Sequence, residues 1–191
     1  MRPQMSEAEI VLLSGFLRAT RRYLEFGSGG STFLAASLVR DWVLAVDSSS
    51  EWLDTVRSAV RDRRPQVLMP DLLHVDIGPV GDWGRPLGEA ARDRWPLYHE
   101  QVWRDPRTRE AEFCLVDGRF RVACCMQALL NGEADLLIAV HDFASRPDYA
   151  VVHEVLHEVA VVENLSVFIR RPGHVRRRAL QILEAHRFDS R

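Results

Sequence analysis

The sequence predicts one doubly wound α/β domain with a mostly parallel sheet, spanning residues 1–191. Short apolar runs alternate along the chain with amphipathic helical patterns, as expected when strands alternate with helices. A Gly-rich turn at residues 27–30 joins the first apolar run to a helical pattern. Acidic residues follow several of the runs, at the strand ends where open parallel sheets bind ligands. A chain of 191 residues suits a single domain.

The first βαβ unit covers residues 22–47. Its first strand, 22–26, carries Glu25 near its end, a turn containing Gly27 and Gly29 follows, and a helix is predicted over 31–40. The second strand ends at Asp47. A flexible turn at a helix N-terminus brings backbone N–H groups close to a ligand, and an acid after the second strand can bind ribose hydroxyls. The unit therefore predicts a nucleotide-binding site.

Two residues favour S-adenosylmethionine over a dinucleotide at this site. Thr32 stands where the third glycine of the dinucleotide fingerprint would be, and Glu25 lies two residues before Gly27. A carboxylate would repel a pyrophosphate, whereas it could bind the cationic amino-acid end of S-adenosylmethionine. Asp47 is compatible with either ligand.

The chain resembles the class I S-adenosylmethionine-dependent methyltransferases. Residues 25–30 resemble their first motif, Asp47 resembles their ribose-binding acid, and Asp76 and Ile77 match the place after strand three that approaches adenine. The resemblance implies an enzyme with a Rossmann-like methyltransferase domain, a seven-stranded sheet and a C-terminal antiparallel hairpin. The predicted cofactor contacts are Glu25, Gly27, Ser28, Gly29, Asp47, Ser48, Asp76 and Ile77.

Other elements follow from local patterns. Residues 6–9 form a capping box that starts a leading helix. A helix is predicted over 49–63, ending before Pro65, and a strand over 72–77. A further helix is predicted over about 147–158, before a hairpin that turns at Glu163 and Asn164.

Asp117, His141 and Asp142 are the candidate catalytic residues, because they follow strands four and five at the ligand-binding edge. Here the chain is similar to the catechol O-methyltransferase branch, which implies a possible divalent metal at Asp117 and Asp142. His141 stands where that branch has an oxygen ligand. In the metal-free interpretation no residue is a metal ligand, and Asp117 or His141 orients or deprotonates the acceptor. Arginines 119, 121 and 146 could then pair with an anionic acceptor.

Composition excludes several classes of function. All 25 basic residues are arginine, which excludes Schiff-base lysines and the phosphate-binding P-loop. A net charge of −2 gives no electrostatic reason to expect nucleic acid or an anionic membrane as a partner. The N-terminus lacks the apolar core of a signal peptide, so a cytoplasmic protein is expected. The methyltransferase resemblance implies a small or medium-sized acceptor, and we expect this partner to be a small molecule.

Three alternative functions remain open from the sequence. The first is an NAD-linked reductase, and the second is a non-catalytic S-adenosylmethionine-binding protein. The third is a zinc hydrolase, because residues 153–157 read His-Glu-Val-Leu-His. The helical pattern places His153 and His157 on the solvent face of an outer helix, without a third ligand nearby in sequence, which argues against zinc.

Overall fold

The computed structural model describes residues 1–62 and 67–191. Its strands are β1 Arg22–Phe26, β2 Trp42–Asp47, β3 Asp71–His74, β4 Phe113–Val116, β5 Leu137–Val140, β6 Leu156–Val162 and β7 Leu165–Arg170. They form one seven-stranded sheet in the order β3-β2-β1-β4-β5-β7-β6. The first five strands are parallel, and β7 runs antiparallel to both β5 and β6. The predicted fold, including its C-terminal hairpin, is confirmed.

Helices alternate with the parallel strands of this sheet along the chain, and the last helix follows the hairpin. They are α1 Glu7–Ala19, α2 Gly30–Leu38, α3 Ser50–Arg61, α4 Leu97–Glu100, α5 Arg121–Asn131 and α6 Arg176–His186. The predicted capping box starts α1: Ser6 Oγ accepts the N–H of Glu9 at 3.2 Å, and the Glu9 carboxylate accepts the N–H of Ser6 at 2.8 Å. Residue 63, the predicted end of α3, lies outside the described residues.

The third strand is shorter than predicted. β3 ends at His74, so Asp76 and Ile77 lie in the turn beyond it. The Asp76 carboxylate accepts the N–H of Gly78 at 2.9 Å, an interaction with the local backbone that favours a turn over further strand. Residues 78–109 contain short helical segments, turns and one isolated β-bridge between Val80 and Pro86, as their Gly, Pro and charge content indicates.

The helix predicted over about 147–158 is wrong beyond residue 154. A 3₁₀ helix, Pro147–Glu154, is followed directly by β6 from Leu156. His157, Val159 and Val161 are exposed while their neighbours are more buried, which is the two-residue period of a strand. The backbone of β6 pairs with β7 along this stretch, and these tertiary hydrogen bonds outweigh the local helical pattern.

The topology brings the functional strand ends to one edge of the sheet. β1 lies between β2 and β4, so the strand order reverses at β1, which is where such sheets bind ligands. The ends of β1, β2, β4 and β5 carry most of the predicted site residues.

No helix in the described part of the chain is long and apolar enough to span a membrane.

Candidate active site

The Gly-rich turn after β1 packs directly against the turn after β4. Gly27 has a φ of +94°, and a Cβ at this position would lie 2.6 Å from the Cα of Gly118. A side chain at residue 27 would therefore be excluded by both its backbone conformation and its neighbour. This packing places the Gly-rich turn beside the turn that carries Asp117, and both turns line the same cavity.

Glu25 lies beneath the turn rather than on its surface. Its side chain is fully buried and accepts hydrogen bonds from the hydroxyls of Ser31 and Thr32, the latter at 2.7 Å. Burial raises the pKa of the Glu25 carboxyl to about 8, although the two hydroxyls act in the opposite direction. Glu25 is not among the residues that line the adjacent cavity. Its role visible in the structure is to fix the first turn of α2.

Asp47 and Ser48 lie at the end of β2 and line the cavity. One carboxylate oxygen of Asp47 accepts both the N–H and the hydroxyl of Ser28, at 2.9 and 3.0 Å, and the other accepts the N–H of Ser49 at 3.0 Å. The hydroxyl of Ser48 donates to the carbonyl of Gly84 at 3.4 Å. Asp47 thus connects the Gly-rich turn to α3 and presents a carboxylate to a ligand.

The structure does not bring Asp76 and Ile77 to the cavity. The Asp76 carboxylate is exposed and forms an ion pair with Arg94. The N–H of Gly78 and the charge of Arg94 hold the pKa of Asp76 below its usual value. Ile77 is buried in the hydrophobic core. Neither side chain is placed for the predicted contact with adenine.

Asp117, His141 and Asp142 converge, because β4 and β5 are adjacent and parallel. Nδ1 of His141 lies 3.1 Å from Oδ1 of Asp117 and 3.7 Å from Oδ1 of Asp142. Nε2 of His141 lies 3.5 Å from Oε2 of Glu9. Burial acts to lower the pKa of His141, but the hydrogen bond to Asp117 and the three nearby carboxylates outweigh it and raise the pKa.

Arg121 joins the two strand ends. Its buried guanidinium lies 3.3 Å from Oδ1 of Asp117 and 3.0 Å from Oδ2 of Asp142, and it donates to the main-chain carbonyl of His141. Burial acts to raise the pKa of Asp142, but the charges of Arg121 and His141 hold it below its usual value. Arg121 therefore ties the site together with a fixed positive charge.

This arrangement does not fit a metal ion well. Asp117, His141 and Asp142 offer ligand atoms within 4.8 Å of one another. However, the Arg121 guanidinium already lies between the two carboxylates, and a divalent ion there would face a buried positive charge. Oδ1 of Asp117 also accepts from His141. The side chains at this site favour the metal-free interpretation.

A cavity of about 850 Å³ connects these groups, within the size range of small-molecule sites. Its lining comprises residues 1–4, 27–31, 47–49, 81–85, 117–119, Trp52, Tyr98, Arg121, His141, Asp142 and Arg146. A second cavity of about 590 Å³ shares residues 2–4, His141 and Asp142 with the first. Apart from Glu25, Asp76 and Ile77, the predicted cofactor-binding and catalytic residues thus lie around one continuous concave region.

Sequence reasoning missed two contributors to this region. Trp52 in α3 donates its indole N–H to the carbonyl of Ser28 at 2.8 Å and lies beside Gly29. An aromatic residue shortly after a strand-end acid is a weak signal that could have identified it. Glu9 was recognised only as a helix cap, because its proximity to His141 depends on how α1 docks.

The zinc-protease pattern does not form a site. His153 belongs to the 3₁₀ helix and His157 to β6, so the two imidazoles do not share a helix face. The ring of His153 packs edge-on against Phe143 and Phe168, with centroids 5.3 and 5.5 Å away. Among the described residues, the group with metal-ligand geometry does not include either histidine.

Comparisons with solved structures agree with the fold described above. A methyltransferase-like protein from Silicibacter pomeroyi is 30% identical, with a TM-score of 0.88 over 100% of this chain and 99% of that one. The N-methyltransferase NodS from Bradyrhizobium japonicum has a TM-score of 0.53 at 10% identity, over 85% of this chain and 93% of NodS. A ribosomal protein L11 methylase from Lactobacillus delbrueckii has a TM-score of 0.51 at 10% identity, over 87% and 80% of the two chains.

No protein-family model and no curated protein sequence matches the chain. The fold and the site geometry define a Rossmann-like methyltransferase domain. The similarity over the whole length of the Silicibacter protein shows that the chain belongs to the class I S-adenosylmethionine-dependent methyltransferase superfamily, and so to a superfamily of enzymes.

Proposed function

We propose that the protein transfers a methyl group from S-adenosylmethionine to a small or medium-sized acceptor. The observation that carries the proposal is the cavity that joins the Gly-rich turn and Asp47 to Asp117, His141 and Asp142. The part of the cavity around the Gly-rich turn and Asp47 has the groups needed for an adenosyl ligand. The part around Asp117, His141 and Asp142 has polar groups for an acceptor. S-Adenosylmethionine supplies an electrophilic methyl group on a sulfonium sulfur when it is bound.

The residues around the turn fit this ligand. Gly29, the N-cap of α2, has no side chain to bind the N–H groups of the first turn, so these groups can donate to the carboxylate of the ligand, while the N–H of Gly29 itself donates to Oγ1 of Thr32 at 2.9 Å. Asp47 offers carboxylate oxygens to ribose hydroxyls. The indole of Trp52 and the exposed indole of Trp83 flank the same cavity and provide apolar surface for a base.

Asp117 is best placed to act on the acceptor. Its Oδ1 accepts from His141 and lies next to Arg121, whereas no described residue donates to its Oδ2. Both ring nitrogens of His141 face carboxylates, so the imidazole is engaged in holding Asp117. We therefore assign the free oxygen of Asp117 to orient the acceptor and to accept its proton as the methyl group is transferred.

The alternatives have less support. Thr32 stands where the dinucleotide fingerprint has its third glycine, and His153 and His157 do not form a metal site in the described residues. A protein that binds S-adenosylmethionine without catalysis would not require the free oxygen of Asp117. The acceptor proposed here is a small molecule.

Calorimetric titration of the purified chain with S-adenosylmethionine, S-adenosylhomocysteine, NAD and zinc tests the proposal. The two adenosyl compounds are expected to bind in a one-to-one ratio and to raise the melting temperature, because they bind only the folded state. Binding of NAD with none of either adenosyl compound would overturn the assignment.

A further inference from the structure

The cavity contains a buried positive charge that the protein does not neutralise. Arg119 follows β4 by way of Asp117 and Gly118 and lines the cavity, with only 7% of its surface exposed. No carboxylate among the described residues lies within ion-pair distance of its guanidinium, and its buried Nε has no hydrogen-bond partner. A buried guanidinium without a partner is unfavourable, so an external anion is the natural complement.

The other arginines around the cavity differ from Arg119. Arg121 pairs with Asp117 and Asp142, and Arg146 lies 3.4 Å from Asp142. Arg85 is exposed and therefore solvated. Arg119 is thus the buried cavity arginine whose charge has no counterpart in the described chain.

Arg121 and Arg146 line the same cavity as Arg119. Burial lowers the pKa of Arg119, and the positive charges of Arg121 and Arg146 lower it further. The Arg119 guanidinium is therefore a buried cation with other cations nearby, which favours binding of an anion from outside the protein.

We propose that Arg119 binds an oxyanion on the methyl acceptor, either a carboxylate or a phosphate group. A guanidinium binds either group through two parallel hydrogen bonds. An anionic acceptor would also be attracted to the positively charged sulfonium of the methyl donor. The acceptor class rests on the proposed function, whereas anion binding by Arg119 does not.

The test is titration of inorganic phosphate and of acetate into the protein, with and without saturating S-adenosylhomocysteine, at constant ionic strength. At least one anion is expected to bind saturably to the wild type, and Arg119→Gln is expected to weaken that binding at least about tenfold, about 1.4 kcal/mol. Arg85→Gln, which removes an exposed arginine from the same cavity, is the matched control and is expected to retain the affinity.

Absence of saturable binding of both anions, or equal binding to Arg119→Gln and the wild type, would overturn the proposal. Titration with S-adenosylhomocysteine and with 5′-methylthioadenosine, which lacks the amino-acid end, distinguishes binding of an acceptor anion by Arg119 from binding of the cofactor carboxylate. If Arg119→Gln weakened binding of the first compound alone, Arg119 would bind the cofactor carboxylate instead. Failure of the wild type to bind either compound would count against the proposed function and would leave the anion titration as a separate result.

A stability measurement checks the unpaired charge itself. Arg119→Met keeps most of the side-chain volume and removes the charge, so without added anion it is expected to melt at or above the wild-type temperature. It is also expected to lose the stabilisation by phosphate or acetate. A melting temperature several degrees below that of the wild type would show that the guanidinium is satisfied within the protein, and would contradict the proposal.

Discussion

Nδ1 of His141 lies 3.1 Å from Oδ1 of Asp117, although the two residues are 24 positions apart and follow different strands. The contact results from the parallel pairing of β4 with β5, in which Val116 lies opposite Val140. It leaves the second oxygen of Asp117 available to a ligand. Asp142 differs, because its Oδ2 already pairs with Arg121 and Arg146, so Asp117 is the acid of this group that can act on an acceptor.

Asp47→Ala is expected to weaken binding of S-adenosylhomocysteine by about 10- to 100-fold, the loss expected when hydrogen bonds to a charged group are removed. Asp76→Ala is the matched control, since Asp76 also follows a strand but lies away from the cavity. It is expected to leave the affinity unchanged. Calorimetry measures both variants, and a larger loss in Asp76→Ala would show that the adenine contact predicted from sequence is correct after all.

Asp117→Asn is expected to lower kcat by about 10²- to 10⁴-fold, the usual contribution of a positioned base, with little change in cofactor affinity. The amide keeps the shape of the side chain but cannot accept the proton. Asp142→Asn is expected to have a smaller effect, because Oδ2 of Asp142 is occupied by Arg121 and Arg146. The measurements are turnover with an identified acceptor and titration with S-adenosylhomocysteine.

Treatment of the enzyme with a chelator is expected to leave turnover unchanged. Arg121 occupies the space between Asp117 and Asp142 that a divalent ion would need. Loss of turnover with a chelator, restored by a divalent ion, would show instead that Arg121 moves aside and that Asp117 and Asp142 are metal ligands.

The contribution of His141 to stability is expected to depend on pH. The folded protein raises the pKa of His141 above its usual value, so its contribution is complete below the unfolded pKa of about 6.5 and is lost as pH rises through the folded pKa. The difference in melting temperature between the wild type and His141→Gln should therefore shrink from about pH 6 to about pH 9. A constant difference would show that the three carboxylates do not hold the imidazole in its charged form.

His157→Ala is expected to change the free energy of unfolding by no more than about 0.5 kcal/mol, because the side chain is exposed on the edge strand. His153→Ala is expected to cost about 1 kcal/mol, because its ring packs against Phe143 and Phe168. Chemical denaturation measures both. Stoichiometric zinc in the wild type that is lost in the double variant would contradict the structure of this region.

The convergence of Asp117, His141 and Asp142 could be predicted from sequence, because it depends only on the order and direction of the strands. Parallel neighbours end at the same edge, so residues that follow β4 and β5 must meet. The same argument placed Gly27 and Asp47 correctly at that edge. The order of the strands follows from the alternation of strand and helix patterns along the chain, so a wrong boundary in one element does not change it.

The details that depend on side-chain contacts could not be predicted. Arg121 is four residues after Asp117, but its bridge to Asp142 exists only because α5 docks beside β5. Asp76 follows an apolar run as Asp47 does, yet β3 ends earlier and its acid turns toward Arg94. Glu25 has the right position for a ligand contact, and only the tertiary structure shows the hydroxyls of α2 covering it. A sequence pattern identifies the strand end, while packing decides which way the side chain points.

Glu25→Gln is expected to stabilise the protein increasingly as pH rises. Burial raises the pKa of Glu25 from 4.5 to about 8, so folding favours the protonated carboxyl. The resulting contribution to stability is complete below the unfolded pKa of 4.5 and is lost as pH rises through about 8. An amide cannot ionise, so the variant avoids this loss, which amounts to at most a few kcal/mol.

The measurement for Glu25→Gln is the melting temperature of variant and wild type from about pH 5 to about pH 9, with the difference expected to grow in favour of the variant. The control is Glu112→Gln, for which the expected change in stability has the opposite sign. Burial acts to raise the pKa of Glu112, but the N–H of Arg21 and the guanidinium of Arg22 outweigh it and lower the pKa. Glu112→Gln should therefore destabilise the protein at neutral pH. If Glu25→Gln also destabilised it at every pH, the buried carboxyl would have to be ionised in the folded state, with its charge stabilised by Ser31 and Thr32.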